Sequence, residues 1–173
     1  MSEHISVLIS EKEINDRVKE LAAIINEEYK GQEVRLVCIL KGSVFITCEL
    51  AKYLTVPVTL DFMAAHSYQG TESTGNIDIV QDLDHDIEGK NVIVIEDIID
   101  TGRTLHFLLE LLEKRNPKSL KLLTLLDKPD RRVTEVFVDY IGFTIPDKFV
   151  VGYGLDYDQK YRNLPYIGIV EFD

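Results

Sequence analysis

Only two cysteines occur in the chain, Cys38 and Cys48, ten positions apart in apolar surroundings. They form no Cys-x-x-Cys pair, and with four scattered histidines they give no zinc-ligand spacing. Both are expected to be buried thiols in a reducing compartment. Positive charge is scarce as well. Nineteen Lys and Arg stand against thirty Asp and Glu, a net charge of −11. Such a surface does not favour general attraction to nucleic acid or to anionic membrane. The opening MSEHISVLIS has no basic segment and no long apolar run, so it does not read as a signal peptide. No stretch approaches the ~20 apolar residues of a membrane span. A cytoplasmic protein with neither nucleic-acid nor membrane partners is expected. Two common phosphate-binding signatures, GxxxxGK(S/T) and GxGxxG, are missing, as are internal repeats, linkers and low-complexity segments. The 173 residues are therefore expected to form one domain.

What is present alternates between two periods. Ser10 and Glu13 have capping-box spacing, and Ile14, Val18, Leu21, Ile24 and Ile25 then recur at helical intervals. VRLVCIL (34–40) is a short apolar run and predicts a buried strand. Residues 41–54 suit a helix, with Val44, Cys48, Ala51 and Tyr53–Leu54 on its apolar side. Pro57 breaks that pattern, and 58–66 reads as strand. SYQGTESTGN (67–76) has no aliphatic residue with which to bury a face and predicts a mobile loop. IDIVQDL and NVIVIED are strands, and 103–115 is a helix with Leu105, Leu108, Leu109 and Leu112 on one face, stopped by Pro117. Strands are expected at 119–127, 138–145 and 148–154, and YIGIVEF (166–172) is expected to close the sheet. Alternating strands and helices indicate an α/β fold with a mostly parallel sheet flanked by helices.

The stretch most suggestive of chemistry is VIVIEDIIDTGRTL, Val92 to Leu105. It lies where an α/β sheet usually binds ligands, at the carboxyl end of a strand entering a helix. Asp100-Thr101-Gly102-Arg103-Thr104 offers backbone N–H groups and two threonine hydroxyls, a setting for a phosphate monoester. Glu96 and Asp97 lie just upstream. Carboxylates beside a phosphate site would repel the ligand unless it also carries hydroxyl donors or a divalent cation. A sugar phosphate with free hydroxyls and Mg²⁺ satisfies all of these groups at once.

This stretch resembles the 5-phosphoribosyl-1-pyrophosphate (PRPP) signature of the type I phosphoribosyltransferases, in the form found in the hypoxanthine–guanine branch. The resemblance extends from about Val34 to Val170 with its segments in the expected order. It implies the type I phosphoribosyltransferase fold, with a small hood built from the N-terminal and C-terminal segments over a purine site. LKGS (40–43) is similar to the pyrophosphate loop, where a non-proline cis peptide, here Leu40–Lys41, turns N–H groups of Lys41 and Gly42 toward the leaving group. Residues 67–76, beginning Ser67-Tyr68, resemble a closing lid. In LLDK (125–128), Lys128 matches the lysine that reaches the exocyclic oxygen of a purine. In 149–165, Phe149 matches the residue stacked on the base and Val150 one whose backbone meets the base edge. There too, Asp156 matches a residue near the base that helps hold a second Mg²⁺, and Arg162 one that contacts pyrophosphate. Arg103 stands where the family often has lysine, which preserves the charge.

The implied activity is transfer of 5-phosphoribosyl from PRPP to N9 of a 6-oxopurine, with Mg²⁺ as cofactor and PRPP and the purine base as small-molecule partners. Glu96 and Asp97 would then orient ribose hydroxyls and metal waters, Asp100 would be the general base toward N7, and Thr101, Gly102, Arg103 and Thr104 would hold the 5′-phosphate. A homodimer or homotetramer is implied as well. Two rival readings exist, another branch acting on xanthine or pyrimidines, and an RNA-binding regulator of the same fold. The Lys128 and Phe149 segments weigh against the first, and the acidic balance against the second.

Overall fold

A computed structural model describes residues 2–67 and 77–173. The expected lid loop, Tyr68 included, lies outside these described residues, while Ser67 ends a strand. The chain runs β1 (Glu3–Ile9), α1 (Glu11–Glu28), β2 (Val34–Ile39), α2 (Val44–Tyr53), β3 (Val58–Ser67) and β4 (Ile77–Gln81). It continues through β5 (Asn91–Ile99), α3 (Arg103–Glu113), β6 (Ser119–Asp127), a 3₁₀ turn at Pro129–Arg131, β7 (Tyr140–Thr144), β8 (Val150–Val151) and β9 (Ile167–Phe172).

Six strands form the main sheet in the order β4-β3-β2-β5-β6-β7. Pairing is parallel from β3 to β7, with only β4 antiparallel at the edge. The central strands are buried on both sides, which is why they read as unbroken apolar runs rather than alternating ones. Alternate residues still choose opposite faces. Leu36, Ile93, Ile95, Leu123 and Leu125 pack with Ile14, Val18 and Leu21 of α1 and Ile46 and Leu50 of α2. Val37, Val92, Val94 and Leu122 face the other way, onto Leu105, Leu108 and Leu112 of α3.

The capping box at Ser10 forms as its spacing predicts. The Ser10 hydroxyl accepts from the Glu13 N–H at 3.1 Å, and the Glu13 carboxylate accepts from the Ser10 N–H at 3.3 Å. Ile24 is exposed, because Ala22 rather than Ile24 completes the buried stripe. On α2 the buried residues are Ile46, Thr47 and Leu50. Cys48 is consequently on the solvent side, against the expectation of two buried thiols, and only Cys38 is enclosed. Burial raises the Cys38 thiol above its ordinary range.

A second sheet has the order β1-β9-β8 and is antiparallel throughout. The expectation that 166–172 closes the main sheet is thus corrected. That strand pairs instead with β1, Glu3 facing Phe172 and Val7 facing Gly168. The strand expected over 148–154 shrinks to two residues, since Gly152, Tyr153 and Gly154 all take positive φ and turn the chain out of extended geometry. Among the described residues no helix is long and apolar enough to cross a membrane.

Candidate active site

The carboxyl ends of β2 and β5 open into a cleft of about 330 Å³. Two loops leave these strands and form opposite walls. After β2 comes Leu40-Lys41-Gly42-Ser43, whose Leu40–Lys41 peptide is cis, as the family resemblance implies. After β5 comes Asp100-Thr101-Gly102, which leads into α3. Glu96 and Asp97 line the cleft between them, and Arg162 closes one side.

The first loop is fixed by close approach. A Cβ added at Gly42 would fall 1.7 Å from Asp97 Oδ2, so only glycine lets the backbone lie against that carboxylate. Behind it, Ser43 Oγ donates to the Ile39 carbonyl at 2.5 Å and anchors the start of α2 to the end of β2. Gly154 crosses next to it: a Cβ there would lie 1.9 Å from the Gly42 carbonyl oxygen. Arg162 donates from Nη1 to the Gly154 carbonyl at 2.7 Å, and its Nη2 lies 3.4 Å from Asp156 Oδ1. Lys41, Gly42, Gly154 and Arg162 thereby belong to one contact chain.

The second loop turns at Gly102, which has φ +82° and caps α3 without a side-chain hydrogen bond. The first-turn N–H groups of α3 consequently lack a side-chain acceptor from the cap and, with the helix dipole, favour an anion. Asp100 is exposed at the cleft mouth, where its carboxylate accepts from the Thr101 N–H at 2.6 Å. Thr104 faces the cleft from the first turn, whereas Arg103 points to solvent and does not line it.

Two carboxylates on neighbouring residues dominate the electrostatics of the floor. Glu96 is held well above the usual carboxylate range, chiefly by loss of water around it and then by the negative charge of Asp97. Such a pair is relieved by a cation or by hydroxyl donors. Among the described residues, no three His, Cys, Asp or Glu side chains come together as a ready-made metal cage. A Mg²⁺ ion bound through one or two carboxylates and the oxygens of a polyphosphate needs no such cage, so Glu96 and Asp97 fit it.

The residues expected to hold a purine lie beside the cleft rather than in its lining. Lys128 is buried, and its ammonium donates to the Lys148 carbonyl at 2.9 Å. Its backbone N–H donates to the Ile99 carbonyl at 2.9 Å, which ties it to the strand that carries Asp100. Phe149 is half exposed, its ring edge-on to Tyr157 with centroids 5.7 Å apart. Tyr157 in turn meets Phe172 of β9. Val150 is buried in β8. The sequence reading missed Asp127 and Arg132, which pair with each other behind the Asp100 loop. Asp127 lay without a role inside LLDK, and the only signal for Arg132 was a short basic run after β6, indistinguishable from a solvated turn.

A family model for the phosphoribosyl transferase domain matches residues 9–158, and the chain belongs to that family. Its relatives narrow the comparison. It is 50% identical over 173 residues to the hypoxanthine phosphoribosyltransferase of Salmonella typhimurium, covering 98% of this chain and 97% of that one. It is 48% identical over 166 residues to the hypoxanthine-guanine phosphoribosyltransferase of Lactococcus lactis, covering 95% of this chain and 90% of that one. Among solved structures it resembles a hypoxanthine-guanine phosphoribosyltransferase from Bacillus anthracis with a HEPES molecule in the active site. That likeness has a TM-score of 0.92 and 46% identity, and covers 99% of this chain and 100% of that chain.

Proposed function

We propose that the protein transfers the 5-phosphoribosyl group of PRPP to N9 of hypoxanthine or guanine, giving IMP or GMP and pyrophosphate. The observation that carries this reading is the single cleft shared by the Lys41–Gly42 loop, the Glu96–Asp97 pair and the Asp100–Thr104 turn, in a chain about half identical to enzymes of that name.

Each wall answers one part of the substrate. The 5′-phosphate sits at the start of α3, against the Gly102 turn and the Thr101 and Thr104 hydroxyls, with the Arg103 charge nearby. Glu96 and Asp97 accept hydrogen bonds from the ribose hydroxyls and from cation-bound water. Bound Mg²⁺ would neutralise charge on the pyrophosphate, with Glu96, Asp97 and, for a second ion, Asp156 as its protein groups. Lys41, the Gly42 backbone and Arg162 stabilise the departing anion at the opposite wall. As the C1–O bond lengthens, Asp100 takes up the developing positive charge of the base by accepting its proton at N7.

The purine lies on the exposed face of Phe149, and the Lys128 ammonium, which gives one donor to the Lys148 carbonyl, has two left for the purine 6-oxygen. The β1-β9-β8 sheet is the hood behind it, because Phe172 and Tyr157 buttress Phe149 from that side. The test is an assay of nucleotide formation from PRPP and Mg²⁺ with hypoxanthine, guanine, xanthine and adenine, repeated in excess EDTA. Turnover of the first two bases, abolished by the chelator, is expected. Turnover restricted to xanthine would overturn the substrate assignment, and full rates in EDTA the metal assignment.

A further inference from the structure

Arg132 lies outside every segment that carries the family motifs, yet its guanidinium bridges the back of the phosphate loop to the end of β6. Nε donates to the Asp100 carbonyl at 3.1 Å, and Nη2 donates to Asp127 Oδ1. Asp127 ends β6 and is buried. It faces Ile99 across the parallel ladder, and its carbonyl accepts from the Ile145 N–H at 2.9 Å, so it belongs to the rigid sheet. One residue beyond Arg132, Val133 and Thr134 both donate their N–H groups to the Thr101 carbonyl, at 3.0 and 3.1 Å. Two successive carbonyls of the phosphate loop are therefore turned toward the 132–134 segment, away from the cleft.

The direction of those carbonyls decides where the loop's donors point. In a planar trans peptide the N–H lies opposite the C=O. Fixing the Asp100 carbonyl directs the Thr101 N–H onto the Asp100 carboxylate, the 2.6 Å contact already described. Fixing the Thr101 carbonyl turns the Gly102 N–H toward the cleft. The fit is close, since a Cβ on Gly102 would stand 2.4 Å from the Thr134 carbonyl oxygen and 3.0 Å from Arg132 Cδ.

We propose that Arg132, held by Asp127, is a positioning residue: it orients the phosphate-binding turn and the Asp100 carboxylate from behind, without touching substrate. This rests on the reading of that turn as the 5′-phosphate site. The side chain required is a planar fork that reaches two acceptors at a fixed angle, which arginine supplies and lysine does not. Asp127 neutralises the guanidinium, so the pair contributes orientation rather than charge to the ligand.

The experiment compares binding of IMP with binding of inosine, which lacks the phosphate, by calorimetry on the full chain. Arg132→Met should weaken IMP binding about tenfold, the worth of a hydrogen bond to a charged group, and leave inosine within about twofold. Arg132→Lys should lose most of the same discrimination although it keeps the charge. Asp127→Asn, which retains an acceptor oxygen, should preserve it, whereas Asp127→Leu should not. Combining Asp127→Leu with Arg132→Met should cost no more than the worse single change, because the two act as one unit. General loosening of the fold would weaken both ligands alike. If Arg132→Met does not fold, the lysine and asparagine variants decide on the same ratio. An IMP-to-inosine ratio unchanged in the Arg132 variants overturns the proposal. A wild-type protein with no preference for IMP over inosine overturns the functional reading instead.

Discussion

At Asp100 the carboxylate is exposed at the cleft, held by one short backbone hydrogen bond, and is the proposed acceptor of the proton of the base. Replacing it by Asn keeps the size and the acceptor oxygen but removes the capacity to take a proton. Asp100→Asn should therefore lower kcat by roughly 10²–10⁴-fold, the usual worth of positioned proton transfer, with far less change in the KM for PRPP. Steady-state kinetics with hypoxanthine measure both. Lys128 argues in the same way for selectivity. An ammonium offers three donors and no acceptor, so on the proposed reading it would pair with the 6-oxygen of hypoxanthine or guanine and confront the 6-amino group of adenine. An unpaired buried polar group costs about 1–3 kcal/mol, and more when charged. Lys128→Met should raise the KM for hypoxanthine and guanine and narrow the gap to adenine. Should discrimination against adenine survive in full, the backbone near Val150 is the better candidate for reading position 6.

Between elements, the loop after β2, the floor of β5 and the turn at Gly154 meet at close quarters, with no room for a Cβ at Gly42 or Gly154. Gly42→Ala puts a methyl group on the Asp97 carboxylate, so the loop or the acid must shift. Displacement of reacting groups by about 1 Å costs on the order of 10²-fold, and a loss of that size in kcat/KM for PRPP is expected. The central strands were legible because burial on both faces leaves a continuous apolar run, and α1 because Ser10 and Glu13 spell out its start. β1 was not, because EHISVLI begins with polar residues and its partner lies at the far end of the chain. A strand's own sequence does not name the sheet it joins, so β9 was assigned to the wrong one. The grouping of Glu96, Asp97, Asp100, Thr101, Gly102 and Thr104 around one cleft was readable from order and spacing, whereas Arg103 turns away from it. Arg132 was not, since it grips a backbone carbonyl, and any residue at position 100 would have offered one.

For the whole molecule, the pairing of β1 with β9 brings residues that are farthest apart in sequence side by side. The Asp173 N–H donates to the Ser2 carbonyl at 3.2 Å, and the two side chains also meet. Adjacent ends of this kind allow the order of the chain to be changed without changing its contacts. The turn between α1 and β2 offers a place to open it. Lys30 and Gly31 are exposed, nothing lies within 4 Å of a Cβ built on Gly31, and the turn precedes β2, at the opposite end of the sheet from the cleft. A rearranged chain starting at Gly31, with a short Gly-Ser bridge from Asp173 to Ser2 and ending at Lys30, should fold and keep IMP affinity within about threefold, because neither cut nor bridge touches a cleft residue. Calorimetric titration and thermal unfolding of that permutant check it, and a permutant that folds but has lost IMP binding would show that the α1–β2 connection communicates with the site. With affinity kept, sequence order is a matter of history at this turn, and adjacency in space the property the fold preserves.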